Sequence, residues 1–112
     1  RNIVATAMLT NYDRDYEKYP TLWSKCDNYL VIHRIATIKN KRNQGVGRQF
    51  LSAIMEFAKK ENIDYIRIDT HKDNKIMRKF LSNFGFVELG EIKLTMKNNL
   101  DDKERIAYEI KV

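Results

Sequence analysis

Arg42-Asn43-Gln44-Gly45-Val46-Gly47-Arg48 stands between a strand-like run ending near Ile38 and a helix-like run beginning at Gly45. A chain that turns tightly out of a strand into a helix leaves several backbone N–H groups unpaired, and glycines lacking Cβ let an anion approach them closely. Arg42 and Arg48 add positive charge at the same point. The stretch reads either as a phosphate-binding loop or as a merely flexible helix start. It is not a Walker loop, because Arg48-Gln49 follows the last glycine where Lys-Ser/Thr is required. Nor is it a dinucleotide fingerprint, because Phe50 fills the third small-residue position.

Periodicity on either side sets the order of elements. Ile3 to Thr10 reads as a strand, and Asn11 to Asp27 as a polar and aromatic excursion holding the only proline, Pro20. Tyr29 to Ile38 is nearly continuous in apolar and β-branched residues, as a central strand covered on both faces would be, and is broken by His33-Arg34. Val46, Phe50, Ile54 and Phe57, widened by Leu51 and Ala58, mark an amphipathic helix over Gly45 to Asn62. Tyr65 to Thr70 alternates as a strand, parallel to the earlier one because a helix intervenes. A second helix runs from Asn74 to Phe84, with Ile76, Met77, Phe80, Leu81 and Phe84 on one face, Asp73 or Asn74 at its start and Gly85 at its end. Val87 and Leu89 share one parity while Ile92, Leu94 and Met96 share the other, which predicts a bulge at Gly90-Glu91. After a turn at Asn98 to Asp102, a last strand carries Ile106, Tyr108, Ile110 and Val112 on one side and closes an antiparallel hairpin.

With 112 residues the chain is read as a single α/β domain, 1–112, with no internal repeat or linker. Hydrophobic residues at 43% and charged residues at 32% describe a globular protein, and no apolar run is long enough to span a membrane. Cys26 is the only cysteine, so no internal disulfide can form. No Cys/His cluster suggests a metal, and a reducing, cytoplasmic setting is expected. The net charge of +6 favours a polyanionic partner, either nucleic acid or a coenzyme carrying several phosphates. Only Lys39, Lys41, Arg42 and Arg48 cluster.

The pattern Arg/Gln-x-x-Gly-x-Gly/Ala resembles the acetyl-CoA pyrophosphate loop of the GNAT superfamily, the Gcn5-related N-acetyltransferases. Asn74-x-x-Met77-x-x-Phe80-Leu81-x-x-x-Gly85-Phe86 is similar to that family's second signature, an Asn-led helix closing in Gly-Phe. Tyr29 to Ala36, Ile66 to His71 and Arg105 to Tyr108 also look like one bacterial subgroup of uncharacterised members. The resemblance implies an acyl-CoA N-acyltransferase fold with a mixed sheet, N-terminally truncated, whose central strands splay at the acetyl-CoA site. It implies that backbone groups of Ile35, Ala36 and Thr37 pair with the pantetheine arm. The diphosphate would rest on Arg42, Asn43, Gln44, Gly45, Val46, Gly47 and Arg48, with Asn74 and Met77 also at the cofactor.

The reaction so implied is direct attack of a primary amine on acetyl-CoA. A lysine-type amine has a pKa of about 10.4 and must lose a proton first. His33 matches a histidine of the proton relay in the arylalkylamine acetyltransferases that the chain resembles, and its titration range suits the task. It reads equally as a core histidine bonded to Arg34 or a backbone carbonyl. Val31 stands where many members carry a glutamate base, and Leu81 where a tyrosine protonates departing CoA; Tyr108 is the candidate to serve instead, or is core. His71 borders the slot or orders the following turn, and Tyr16, Tyr19 and Trp23 form an acceptor wall or anchor their loop. The alternatives to an N-acetyltransferase are a GNAT-fold module that binds CoA without turnover and, less favoured, a basic nucleic-acid-binding domain. Open edge strands would allow a homodimer.

Overall fold

The computed structural model describes residues 5–37, 46–93 and 104–112. In order these form β1 (Ala5–Thr10), a 3-10 turn (Tyr16–Lys18), β2 (Tyr29–Thr37), α1 (Val46–Lys60), β3 (Tyr65–His71), α2 (Lys75–Phe84), β4 (Val87–Lys93) and β5 (Glu104–Lys111). The five strands make one mixed sheet in the order β1-β2-β3-β5-β4. β2 and β3 run parallel, as the intervening helix requires, and the other neighbours are antiparallel. Ile3, Ile38 and the turn at Asn98 to Asp102 lie outside the described residues.

The run Leu30-Val31-Ile32 is buried throughout because its two parities enter two different cores. Leu30 and Ile32 join Ile66, Ile68, Ile106 and Tyr108 beneath Leu51, Ile54 and Ala58 of α1 and Leu81 of α2. Val31 joins Ala107 and Ile92 on the opposite face, beneath Tyr16 and Trp23. The excursion between β1 and β2 is therefore a roof. Trp23 stacks on Tyr16 with ring centroids 4.4 Å apart and donates its indole N–H to the Tyr16 carbonyl at 3.1 Å.

Departures from the expected pattern have local causes. α1 stops at Lys60 because Asn62 takes a left-handed φ of 59°, ending the helix before the predicted Asn62 boundary. Ile76, expected on the buried face of α2, is 80% exposed: Met77, Phe80, Leu81 and Phe84 hold the contact stripe, and Ile76 flanks it. Phe57 is 47% exposed at the margin of the α1 stripe for the same reason. The phase slip in β4 falls between Glu88 and Gly90, one residue before its expected place, with Gly90 at φ 146°. Leu89 and Ile92, of opposite parity, consequently pack into the same cluster.

Candidate functional site

Among the described residues the parallel pair β2–β3 is in register from Tyr29↔Tyr65 to Ile32↔Ile68 and pairs no further. Both strands continue. β2 reaches Thr37 while held on its outer side by β1, through Thr6↔Ala36 and Ala5↔Thr37. β3 reaches His71 while held by β5, through His71↔Arg105. Between Ala36 and His33, β2 advances three residues while β1 advances two, from Thr6 to Met8, so β2 carries an extra residue at the point of parting. A bulge of this kind bends a strand and leaves backbone groups unpaired. Among the described residues, the inner edge from His33 to Thr37, which includes Ile35, Ala36 and Thr37, thus has no strand paired on the β3 side.

Of the loop expected to hold a diphosphate, Arg42, Asn43, Gln44 and Gly45 lie outside the described residues. Val46 opens α1, whose first turn holds no acidic residue. Gly47 has a further reason to be glycine: a Cβ there would come within 3.0 Å of Phe80 Cζ, so its bare backbone lets α1 approach α2. Arg48 lies over the Phe84 ring, its guanidinium carbon 5.4 Å from the centroid. Asn74 is the N-cap of α2, its side-chain oxygen accepting from the Met77 N–H at 3.1 Å. Met77 is half-buried against the helix-side core.

His33 and Tyr108 fall on opposite faces of the sheet. Tyr108 is fully buried on the helix side, where its hydroxyl accepts from Arg78 Nε at 3.0 Å and donates to Glu88 Oε1 at 3.2 Å. Burial raises its pKa, with the Arg78 hydrogen bond opposing. Leu81 is also fully buried there. His33 points to the roofed face: Nε2 is 2.9 Å from Thr10 Oγ1, and Nδ1 is 3.9 Å from Asp13 Oδ2. These partners are side chains of β1 and the roof, whereas the core-histidine reading named Arg34 or a backbone carbonyl.

One strand further on the roofed face, sequence reasoning missed a polar cluster. The Tyr16 hydroxyl donates to Asp69 Oδ2 at 2.5 Å, and Arg105 Nε donates to Asp69 Oδ1 at 2.7 Å. Burial first, then the Asp69 carboxylate, pushes the Tyr16 pKa well above its ordinary value. The signal was present in the parity of Arg67, Asp69 and His71 on β3, which reads as a solvent face unless something roofs it. Arg67 is buried below Trp23 and Tyr29, with ring centroids 4.9 and 3.9 Å from its guanidinium carbon. Glu109 lies 3.8 Å from its Nε. Tyr16 and Trp23 thus anchor the roof, and Tyr19 accepts from the Lys93 N–H at 3.0 Å. His71 orders the following turn, its Nδ1 accepting from the Asp73 N–H at 3.0 Å. Burial raises the Cys26 thiol pKa, which suits an inert cysteine. Among the described residues no group of acidic, His or Cys side chains could hold a metal, and no helix is long and apolar enough to cross a membrane.

Residues 1–86 match the family model for the acetyltransferase (GNAT) family. No curated protein matches the chain. Among solved structures, a GNAT-family acetyltransferase from Streptococcus agalactiae superposes with a TM-score of 0.79 at 27% identity, over 97% of this chain and 59% of that one. An acetyltransferase from Bacillus anthracis, assigned to streptothricin and solved in complex with acetyl coenzyme A, gives a TM-score of 0.73 at 24% identity, over 98% of this chain and 57% of that one. Ard1 from Thermoplasma volcanium shares the fold with a TM-score of 0.72 at 19% identity, over 97% and 63%. The chain spans about 59% of the length of the first of these structures. A mixed sheet whose parallel strands part at a bulge, two helices on one face and a family match over most of the sequence lead to one assignment: the chain belongs to the GNAT acetyltransferase family.

Proposed function

We propose that this protein transfers an acetyl group from acetyl-CoA to a primary amine in the cytoplasm. The observation that carries the reading is the end of β2–β3 pairing at Ile32↔Ile68 while both strands run on. The open inner edge offers backbone groups of Ile35, Ala36 and Thr37 to an amide-bearing arm, in the manner of strand addition. The diphosphate would rest on Arg42 to Arg48 at the N-terminus of α1, where an acid-free first turn and the helix dipole favour an anion. Asn74 and Met77, at the start of α2, would border the arm. His33, at the point of parting, would accept the proton of the attacking ammonium group. The amine nitrogen then bonds to the acetyl carbon, the C–S bond breaks, and the thiolate takes up a proton to leave as CoA.

Titration calorimetry with acetyl-CoA, followed by a panel of primary amines, tests the reading. Binding and transfer support it, with His33→Ala lowering kcat by about 100-fold, the smaller end of what a general base supplies. One observation favours a second reading, a CoA-binding module without turnover: Leu81 and Tyr108 both sit in the helix-side core, away from the face that His33 points to. Binding without transfer to any amine would select that module. Absence of acetyl-CoA binding would reject both.

A further inference from the structure

The geometry points to Nδ1 of His33 as its basic atom, with Thr10 and Asp13 as the residues that make it so. This deepens the acetyltransferase reading and rests on it for its catalytic consequence. Thr10 Oγ1 has a single proton and two close neighbours, the Tyr12 carbonyl oxygen at 3.0 Å and His33 Nε2 at 2.9 Å. A carbonyl oxygen only accepts, so two oxygens at that distance need the hydroxyl proton between them. The Thr10 proton therefore goes to Tyr12, and the contact with the imidazole is made by a lone pair of Oγ1. Nε2 must be the donor, in the neutral ring as in the charged one. The atom that gains and loses a proton is Nδ1.

Nδ1 faces Asp13, whose carboxylate is already set in place. Asp13 Oδ1 accepts from the Asp15 N–H at 2.8 Å and the Tyr16 N–H at 3.3 Å, holding the start of the 3-10 turn. Its second oxygen, Oδ2, is left at 3.9 Å from His33 Nδ1. The two side chains are 28% and 14% exposed, so their attraction is only partly screened by solvent. Other charged groups on this face include Asp69 and Arg105, paired with one another next to the Tyr16 hydroxyl, and Arg67 with Glu109 beneath Trp23 and Tyr29. Thr10 fixes which nitrogen is basic, and Asp13 meets the positive charge after the ring has taken the amine's proton. Both are positioning residues. An ammonium group delivering its proton to Nδ1 would approach from the side of the ring that Asp13 faces, and not from the Thr10 side.

Nitrogen-15 NMR of the histidine rings, with and without acetyl-CoA, reads the tautomer directly and needs no turnover. The neutral His33 ring is expected in the Nε2–H form in the parent and in Thr10→Ser, and as a mixture of tautomers in Thr10→Val. In acetyl transfer, Thr10→Val is expected to lose about tenfold in kcat, the worth of one hydrogen bond, with the KM for acetyl-CoA unchanged and Thr10→Ser restoring the rate. Asp13→Asn keeps an oxygen to accept from the Asp15 and Tyr16 amides while removing the charge, so it should fold normally yet lower kcat. An Nδ1–H ring in the parent, or a tautomer indifferent to Thr10→Val, overturns the assignment even where transfer is observed. An Nε2–H ring that responds to Thr10→Val upholds it, and a failure of transfer to every amine then counts against the acetyltransferase reading alone.

Discussion

Tyr16 gives the roof a titratable anchor. Its hydroxyl is buried, donates to Asp69 and has a pKa raised well above its ordinary value by burial and then by that carboxylate. An unfolded tyrosine releases its proton near pH 10, so the native state holds a proton that the unfolded state has lost at higher pH. The contribution is complete below about pH 10 and disappears as pH rises toward the folded value. Urea unfolding of the parent at about pH 8 and about pH 11 should show this loss, and Tyr16→Phe should show a smaller one. At the lower pH that variant should be less stable by about 1.5–3 kcal/mol, the usual worth of a hydrogen bond to a charged group. Asn74 allows a second separation of roles. Asn74→Ala removes the α2 cap and should cost about 1 kcal/mol in denaturant unfolding, whereas Asn74→Asp keeps an accepting oxygen and should cost little. If the Asn74 amide also meets the pantetheine arm, calorimetry will show both variants binding acetyl-CoA more weakly.

At the scale of elements, the contact between α1 and α2 passes through Gly47. A methyl there gains about 1 kcal/mol of helix propensity over glycine but presses on Phe80 Cζ at 3.0 Å, which overpacks the contact by about 1–3 kcal/mol. Phe80 is the far end of a movable side chain, so thermal melts of Gly47→Ala should lie within about 1 kcal/mol of the parent. Gly47→Val, being larger and β-branched, should fall by about 1–3 kcal/mol. A loss of acetyl-CoA affinity in Gly47→Ala that exceeds this change in stability would locate the diphosphate at the helix start. Elements were also where the sequence was most legible. A continuous apolar run marked β2, alternation marked β3 and β5, 3.6-residue spacing marked both helices, and Leu89 and Ile92 betrayed the bulge in β4 by changing parity. The seat of His33 was not legible. Its partners, Thr10 and Asp13, lie 23 and 20 positions away by residue number and meet it only because β1 pairs with β2 and the roof folds back. Asp69 looked like a polar strand end because nothing local announces that Tyr16 lies over it.

For the whole molecule, a ligand that binds only the folded state stabilises it by mass action. Acetyl-CoA at about 100 times its dissociation constant should add about 2.7 kcal/mol, which for a domain of this size raises Tm by roughly 10 °C. Calorimetric scans with and without acetyl-CoA check this, and an unmoved Tm under saturating acetyl-CoA would count against a site between β2 and β3. Amide hydrogen exchange gives the same test spatially, since backbone N–H groups from His33 to Thr37 on the unpaired edge should become protected when an arm lies alongside them.

The sheet is covered differently on its two sides, by helices on one and on the other by an irregular segment fastened through a few polar pins. The sequence contains one tryptophan, and Trp23 lies in that segment, stacked on Tyr16. Indole emission therefore watches the non-helical cover alone, while circular dichroism at helical wavelengths watches α1 and α2. Should the cover lift before the helices melt, the two optical signals will separate along a denaturant gradient, and the door nearest His33 can be timed without any added label.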